Sequence, residues 1–197
     1  MSAPKILVIP GSLRAGSHNA RLAALAAKEL ALLDAEVTRI SLEDYELPLF
    51  DADLAATSGP PAAALKLRQM LVAHRGVFIT SPEYSASVTP LLKNAIDWVS
   101  RVRVRVRERG EATYAAFKGR VFALGSATSG GGGGIRSLMA LRQILELGCG
   151  ALVIPEQVSV PRAELAFDDD DNLKDEALAA ALRAAMRRLV ELAGLMD

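Results

Sequence analysis

The chain has 197 residues, enough for one domain with a substantial core and too few for a second, so residues 1–197 are expected to form a single domain. Half of the residues are apolar (51%) and only 5% are aromatic, a composition that favours helices packed on a sheet through aliphatic side chains. Lysine plus arginine equals aspartate plus glutamate at 23 each, which removes any overall electrostatic reason to expect a nucleic acid or an anionic membrane as partner.

Strands and helices are predicted to alternate along the chain. The strands are short and nearly all apolar, as in a parallel sheet that is covered on both faces. The helices are longer segments with apolar residues at helical spacing. In chain order the predicted elements are a strand at residues 5–9, a helix at 17–33, a strand at 36–41, a helix at 62–73, a strand at 76–80, a helix at 89–100, a strand at 120–124, a helix at 135–147, a strand at 151–154 and a helix at 173–195.

Five strands that alternate with five helices predict right-handed crossovers and a parallel sheet with helices on both faces. Two strand orders are compatible with this pattern, 2-1-3-4-5 and the order of dinucleotide-binding proteins. The chemically distinctive loops follow the first, third and fourth strands. The 2-1-3-4-5 order is favoured because it places these strands side by side, with their loops at the carboxyl edge where open α/β sheets bind ligands.

The loop after the first strand, residues 10–19, has the chemistry of a phosphate cradle. It combines glycines, the Ser12 and Ser17 hydroxyls, the Arg14 guanidinium, the Asn19 amide and the N–H groups of a helix start. Neither a Walker-type ending nor a G-x-G-x-x-G pattern is present. An ordinary turn with Ser17 as helix N-cap is the alternative, but it leaves Ser12 and Arg14 unexplained.

Two motifs carry a resemblance to a known family. The first is Gly11-Ser12-x-Arg14-x-x-Ser17-x-Asn19, and the second is Ser81-Pro82-Glu83-Tyr84-Ser85 followed by Leu92-Lys93-Asn94-Ala95-Ile96-Asp97-Trp98. Together they resemble the NADPH-dependent FMN reductase family, the flavodoxin-like group that includes azoreductases, quinone reductases and chromate reductases. The resemblance implies a flavodoxin-like three-layer sandwich, with a five-stranded parallel sheet in the order 2-1-3-4-5, and FMN as cofactor.

The resemblance also implies which residues contact FMN. The phosphate of FMN is expected at the first loop, which follows the first strand. The flavin ring is expected at the second and third loops, which follow the third and fourth strands. In the second loop Pro82 stiffens the strand exit and Tyr84 supplies an aromatic plane. Ser85 stands where the family often has Asn, and Val88-Thr89 also departs from its usual pattern. The expected cofactor-binding residues are Ser12, Arg14, Ser17, Asn19, Pro82, Glu83, Tyr84, Ser85, Ser87, Ser126, Ser129, Gly130 and Gly131.

The third loop, residues 125–134, ends in five consecutive glycines. Glycines let the main chain approach a planar ligand closely, and Ser126 and Ser129 add hydroxyls. A flexible linker is the alternative for such a run, but within one compact domain it would have nothing to link.

The activity that the resemblance implies is hydride transfer from NADPH or NADH to FMN, which then reduces a small acceptor such as a quinone, a flavin, an azo compound or a metal oxyanion. No protein acid or base is assigned, because the flavin supplies the chemistry. A homodimer or homotetramer is also implied. The alternatives are a non-enzymatic FMN electron carrier of flavodoxin type, against which the neutral charge and Arg14 count, and a flavin-free protein that binds another phosphorylated ligand.

Other features favour structural interpretations. Lys93 and Asp97 are spaced for a helical ion pair, and with Asn94 and Trp98 they are expected to be structural or interfacial. From Arg101 to Arg109 arginines alternate with Val102, Val104, Val106 and Glu108. This segment is interpreted as a helix extension or an edge at a subunit interface, and the alternative is a site for the extra phosphate of NADPH.

Acidic, histidine and cysteine residues give no metal or catalytic assignment. Asp168 to Asp171 are expected in a solvated loop. His18 and His74 have no identifiable partner, although His18 lies in the phosphate loop, where a minor binding role is open. The one cysteine, Cys149, is expected to be buried. The sequence has a single thiol, and it shows no secretion signal and no long apolar run. These features predict a cytoplasmic protein.

Overall fold

The computed structural model describes residues 3–102, 105–106, 109–110 and 114–196. The strands are β1 (Lys5–Pro10), β2 (Glu36–Arg39), β3 (Gly76–Thr80), β4 (Arg105–Val106), β5 (Arg109–Gly110), β6 (Val121–Ala127) and β7 (Leu152–Val160). The helices are α1 (His18–Ala31), α2 (Ala52–Ser58), α3 (Ala62–Ala73), α4 (Pro90–Arg101), α5 (Ile135–Gln143), α6 (Ala163–Ala166) and α7 (Glu176–Ala193), with a 3₁₀ turn at Leu42–Asp44 and a π turn at Ile144–Gly148.

Five parallel strands form the main sheet in the order β2-β1-β3-β6-β7. Counted within this sheet the order is 2-1-3-4-5, so the predicted fold is confirmed. The central strand β3 is buried along its whole length, as its all-apolar run Gly-Val-Phe-Ile-Thr indicated. Its neighbours β1 and β6 bring the first, second and third loops together at one edge of the sheet.

Side chains alternate along the strands between two apolar layers. Ile6 and Val8 face the layer made with α1 and α7, whereas Leu7 and Ile9 face the layer made with α3, α4 and α5. The helices therefore cover both faces of the sheet, and the three inner strands β1, β3 and β6 are buried almost throughout, whereas the edge strand β2 is not.

The structure extends two predicted strands and, besides the four-residue helix α6 and the pair β4–β5, adds one longer helix that was not predicted. β6 continues to Ala127 and β7 to Val160, past the predicted ends at residues 124 and 154. Pro155 interrupts the apolar run, but β7 is an edge strand with a register shift there, and edge strands tolerate proline. The extra helix, α2, buries no residue and has Asp51 as N-cap, so no apolar stripe announces it.

The arginine–valine segment does not prolong α4, which ends at Arg101. It contains the antiparallel pair β4–β5, with Arg105 opposite Gly110 and Val106 opposite Arg109. Residues 103–104, 107–108 and 111–113 lie outside the described ranges. The NADPH contact considered for the arginines of this segment also falls outside them.

The residues predicted to be structural on α4 hold the chain that precedes α2. Asn94 Oδ1 accepts the Phe50 N–H at 2.8 Å, and both Asn94 Nδ2 and Trp98 Nε1 donate to the Pro48 carbonyl. Lys93 and Asp97 form the predicted ion pair at 2.7 Å. These contacts account for the four residues without an interface.

Cys149 is 3% exposed, as predicted, and burial raises the pKa of its thiol to about 11. Within the described ranges, no helix has the length and apolar character needed to cross a membrane.

The acidic loop organises itself through main-chain hydrogen bonds. Asp168 Oδ1 accepts N–H groups from Asp170 and Asn172, which lowers the pKa of Asp168. Asp171 accepts a hydrogen bond from Arg21 Nε of α1 at 2.6 Å. Asp169 and Asp170 stay exposed, in keeping with the predicted solvated loop.

Candidate functional site

The loops after β1, β3 and β6, called here the first, second and third loops, enclose a cleft at the carboxyl edge of the sheet. The cleft has about 500 Å³ of empty volume. Predicted residues that line it are Ser12, Arg14, Ser17, Asn19, Pro82, Glu83, Tyr84 and Ser129, and His18, Ala127 and Thr128 line it as well. Ser85, Ser87, Ser126, Gly130 and Gly131 are not among its lining residues.

The first loop is anchored at both ends. The Gly11 N–H donates to the Thr80 carbonyl of β3 at 2.7 Å, and an added Cβ would press on that same oxygen, so only glycine fits here. Ser17 is the N-cap of α1, as predicted, and accepts the Ala20 N–H. Between these anchors Arg14 is exposed, and its guanidinium has no hydrogen bond or ion pair with any residue that the structure describes.

Asn19 joins the start of α1 to the end of β6. Its Nδ2 donates to the Ala127 carbonyl at 2.7 Å, and its Oδ1 accepts the Ala127 N–H at 3.1 Å. The residue is 2% exposed. Both polar atoms of the amide are thus used within the fold, and Asn19 fixes the distance between the first and third loops.

We expect Asn19→Ala to lower the free energy of unfolding by about 2–4 kcal/mol, because it leaves the buried Ala127 N–H and carbonyl unpaired. Urea denaturation followed by circular dichroism measures this change. Asn19→Asp replaces the donor with a second oxygen that faces the Ala127 carbonyl in a buried position, so it should cost at least as much. A loss below about 0.5 kcal/mol for Asn19→Ala, the range of an ordinary surface substitution, would contradict this role.

The second loop contains a tight turn whose main chain is unfavourable for its residues. Tyr84 and Ser87 exchange N–H···O bonds of 3.0 and 2.9 Å, and the two central residues, Ser85 and Ala86, have φ of 48° and 63°. Such two-residue turns favour Asn-Gly, since L-residues with side chains rarely adopt positive φ. Ser85 lies at the exposed tip, and Ser87 lines a separate cavity beside the π turn.

Ala86→Gly should therefore stabilise the protein by about 1 kcal/mol, because it removes the left-handed penalty of a Cβ. Thermal unfolding of the flavin-free protein measures the change as a higher Tm. The matched control is Ala180→Gly, an exposed position within α7, where the same substitution should destabilise by about as much. A change in Tm of the same sign for the two variants would show that the turn is not strained.

Glu83 connects the second loop to α5. Its carboxylate accepts the Arg136 main-chain N–H at 3.1 Å and the Arg136 Nε at 2.7 Å. Gly134, the N-cap of α5, has no side chain for this purpose. Burial alone would raise the pKa of Glu83, but the bonds and charge of Arg136 outweigh it, and the pKa is lowered. Glu83 is thus an ionised cap supplied from another loop.

The third loop divides into a part that the fold constrains and a part that it leaves open. Gly133 and Gly134 have φ of 59° and 80°, and an added Cβ would collide with the hydroxyls of Ser159 and Ser126 respectively. Ser126 is fully buried and donates to the Ser81 carbonyl at 2.7 Å. Residues 130–132 have nothing within 4 Å of an added Cβ. The described part of the fold therefore leaves room for a side chain at these three positions.

A cleft between these three loops, at the switch point of a 2-1-3-4-5 parallel sheet, defines a flavodoxin-like nucleotide-binding protein. The family model for NADPH-dependent FMN reductase matches residues 4–164. The chain belongs to this family, which confirms the resemblance of its two motifs.

Relatives and solved structures agree with this assignment. The chain is 33% identical to an NAD(P)H-dependent FMN reductase of Pseudomonas aeruginosa, covering 94% of this chain and 92% of the relative. It is 35% identical to a quinone reductase of Escherichia coli, covering 72% and 69%. A flavoenzyme NAD(P)H:(acceptor) oxidoreductase of Paracoccus denitrificans has a similar structure, with a TM-score of 0.76, 26% identity and coverage of 98% and 99%.

Sequence reasoning missed residues that shape the cleft without a motif of their own. Thr89 Oγ1 donates to the Gly11 carbonyl at 2.8 Å and accepts the Leu92 N–H, so it caps α4 and braces the first loop. A threonine before Pro90 at a predicted helix start is a recognisable cap signal. Ala127 and Thr128 belong to the predicted third loop, and in the structure Ala127 ends β6 and Thr128 follows it, both lining the cleft.

Proposed function

We propose that the protein is an NAD(P)H-dependent FMN oxidoreductase whose cofactor occupies the three-loop cleft. The observation that carries the proposal is an uncommitted guanidinium, Arg14, in a cleft whose third-loop lining ends at Ser129, directly before an open glycine segment at residues 130–132. A phosphate ester needs the first and a planar ring benefits from the second. Family membership and the names of the relatives support the same assignment.

The residues of the first loop fit the phosphate of FMN. Arg14 and Ser12 flank the cleft beside the N-terminus of α1, where main-chain N–H groups and the helix dipole favour an anion. Ser17 and Asn19 act at this end mainly through the loop that they position, because the first caps the helix and the second bonds Ala127. The binding role predicted for Asn19 is therefore proposed as a positioning role.

The second and third loops fit the flavin ring. Tyr84 is 50% exposed at the cleft and offers an aromatic plane, and Ser129 offers a hydroxyl beside the open glycines. Glu83 holds the two loops at a fixed separation through Arg136. Ser126 acts from behind the loop, by bonding Ser81, and Ser85 and Ser87 act through the turn that carries Tyr84.

When bound, FMN supplies the redox chemistry, taking hydride from NADPH or NADH and passing the electrons to a second substrate in a ping-pong reaction. The protein's own residues orient the ring and leave one of its faces open. We assign no acid or base among them. A small acceptor such as a quinone is proposed because one relative is named a quinone reductase.

Stopped-flow absorbance of the purified, FMN-loaded protein tests this function. Mixing with NADPH or NADH should bleach the flavin absorbance at a rate at least as fast as steady-state turnover. A second mixing with a quinone should restore the absorbance. Flavin that binds but is not bleached would favour the electron carrier. Protein that purifies colourless and does not quench FMN fluorescence would favour the flavin-free alternative.

Three further properties are proposed, each with its own test. NADPH is proposed as the preferred donor because the family is named for it, and the ratio of the two bleaching rates measures the preference. A homodimer or homotetramer is proposed from the family resemblance, and light scattering distinguishes the two. A cytoplasmic location is proposed from the single reduced, buried thiol, and cell fractionation tests it.

A further inference from the structure

The first loop offers a ligand fewer free groups than its sequence suggests. Ser17 caps α1, Asn19 bonds Ala127 with both polar atoms, and Ser12 Oγ accepts the Arg14 N–H. The Arg14 guanidinium is uncommitted within the described residues. The next polar side chain along the same wall of the cleft is His18.

His18 has an unpaired nitrogen in this wall. It is the first residue of α1, and its Nδ1 is shielded from solvent with no hydrogen-bond partner in the described part of the chain. The only other histidine, His74, has its Nδ1 2.6 Å from the Met70 carbonyl oxygen. Buried polar atoms are almost always paired, so an orphan beside a binding cleft indicates a group that a ligand completes.

Burial and the neighbouring charges favour the neutral ring of His18 in the absence of a ligand. Burial above all, then Arg14 of the first loop and Arg21 of α1, lower the pKa of His18 below its ordinary value of 6.5, while Glu164 of α6 acts in the opposite direction. Arg21 is also paired with Asp171 of the acidic loop. Glu83, which lines the same cleft from the second loop, is paired with Arg136.

We propose that His18 is a phosphate-binding residue that takes up a proton as a phosphate monoester enters the cleft. A dianion beside Arg14 offsets the positive field that disfavours the imidazolium, and its oxygens can accept a hydrogen bond from the protonated ring. One proton moves from solvent to the ring, and no covalent bond other than that N–H is formed. The inference rests on the proposed function, in which the monoester is FMN.

The sign of the pH dependence follows from two pKa values. The pKa of His18 is lowered in the free protein. The proposal requires the phosphate dianion to raise it in the complex, so that binding takes up a proton at pH values between the two pKa values. FMN affinity should therefore rise as pH falls from about 8 to about 6.5, by at most about tenfold per pH unit. The affinity measurements stay above about pH 6.5 because the phosphate of FMN itself gains a proton at lower pH, with a second pKa of about 6.

Isothermal titration calorimetry of the flavin-free protein tests the proposal. FMN is titrated at about pH 7.5 in two buffers of different ionisation enthalpy, and the difference in heat gives the protons taken up, expected at about a half to one per FMN. Riboflavin, which lacks the phosphate, should bind without proton uptake or not bind. This comparison uses only the wild-type protein, so it decides the question even where a variant fails to fold.

Variants then assign the proton to a residue. His18→Gln should abolish the uptake and make FMN affinity independent of pH over this range, whereas His74→Gln, the matched control, should behave like the wild type. FMN binding without proton uptake, or equal uptake by His18→Gln, would overturn the inference and leave the proposed function intact. Failure of the wild type to bind FMN would overturn both.

Discussion

Gly134→Ala should be the most damaging single substitution at the site, lowering the free energy of unfolding by about 2–5 kcal/mol. Two costs add: about 1–2 kcal/mol for an L-residue at φ of 80°, and about 1–3 kcal/mol for overpacking against Ser126. Ser126 cannot simply turn away, because its hydroxyl is bonded to the Ser81 carbonyl in the interior and its Cβ also lies 2.8 Å from the new methyl group.

Denaturant unfolding measures this loss, and Gly131→Ala is its matched control. Gly131 belongs to the same run but has open space around the position of a Cβ and no left-handed φ, so its replacement should change stability by less than about 0.5 kcal/mol. Similar losses for the two variants would mean that the loop tolerates or resists side chains uniformly, contrary to the division described above.

Arg14→Ala should weaken FMN binding by about 10- to 150-fold while leaving the fold unchanged. The guanidinium makes no internal hydrogen bond or ion pair with the described residues, so its loss costs the protein nothing in the free state. A charged hydrogen bond to a ligand contributes about 1.5–3 kcal/mol, which corresponds to that range of dissociation constants. Fluorescence quenching of FMN by the flavin-free protein measures the change.

Two comparisons separate this role from a general loss of positive charge. Arg14→Lys keeps the charge without the planar fork and should recover only part of the affinity. Riboflavin, which has no phosphate, should bind the wild type and Arg14→Ala equally. A loss of riboflavin affinity as large as the loss of FMN affinity would place Arg14 at the ring and not at the phosphate.

The fold follows from the sequence where side-chain patterns record burial. The run at β3 is apolar at nearly every position because both faces are covered, and the stripes of α1 and α7 match the layer that they bury. The pattern fails where elements carry no such record. α2 buries nothing, and β7 passes through Pro155, whose missing N–H is harmless only because the strand lies at the edge.

The three loops singled out in the sequence do line one cleft, but the hydrogen-bond partners of their side chains could not be read from the sequence. A serine, asparagine or glutamate in a loop predicts a hydrogen bond without its partner. Asn19 turns to Ala127, Ser126 to Ser81 and Glu83 to Arg136, each a partner more than 40 positions away in the chain. Those pairings depend on how the three loops meet, which is known only once the sheet is assembled.

The burial of Cys149 has a consequence for the proposed reaction with quinones. Quinones are electrophiles that arylate thiolates, and their reduction is what removes the hazard. With a pKa of about 11, roughly one Cys149 side chain in ten thousand is a thiolate at neutral pH, and the residue is 3% exposed. For the proposed quinone acceptors this thiol is a poor target, because it is almost entirely protonated and buried.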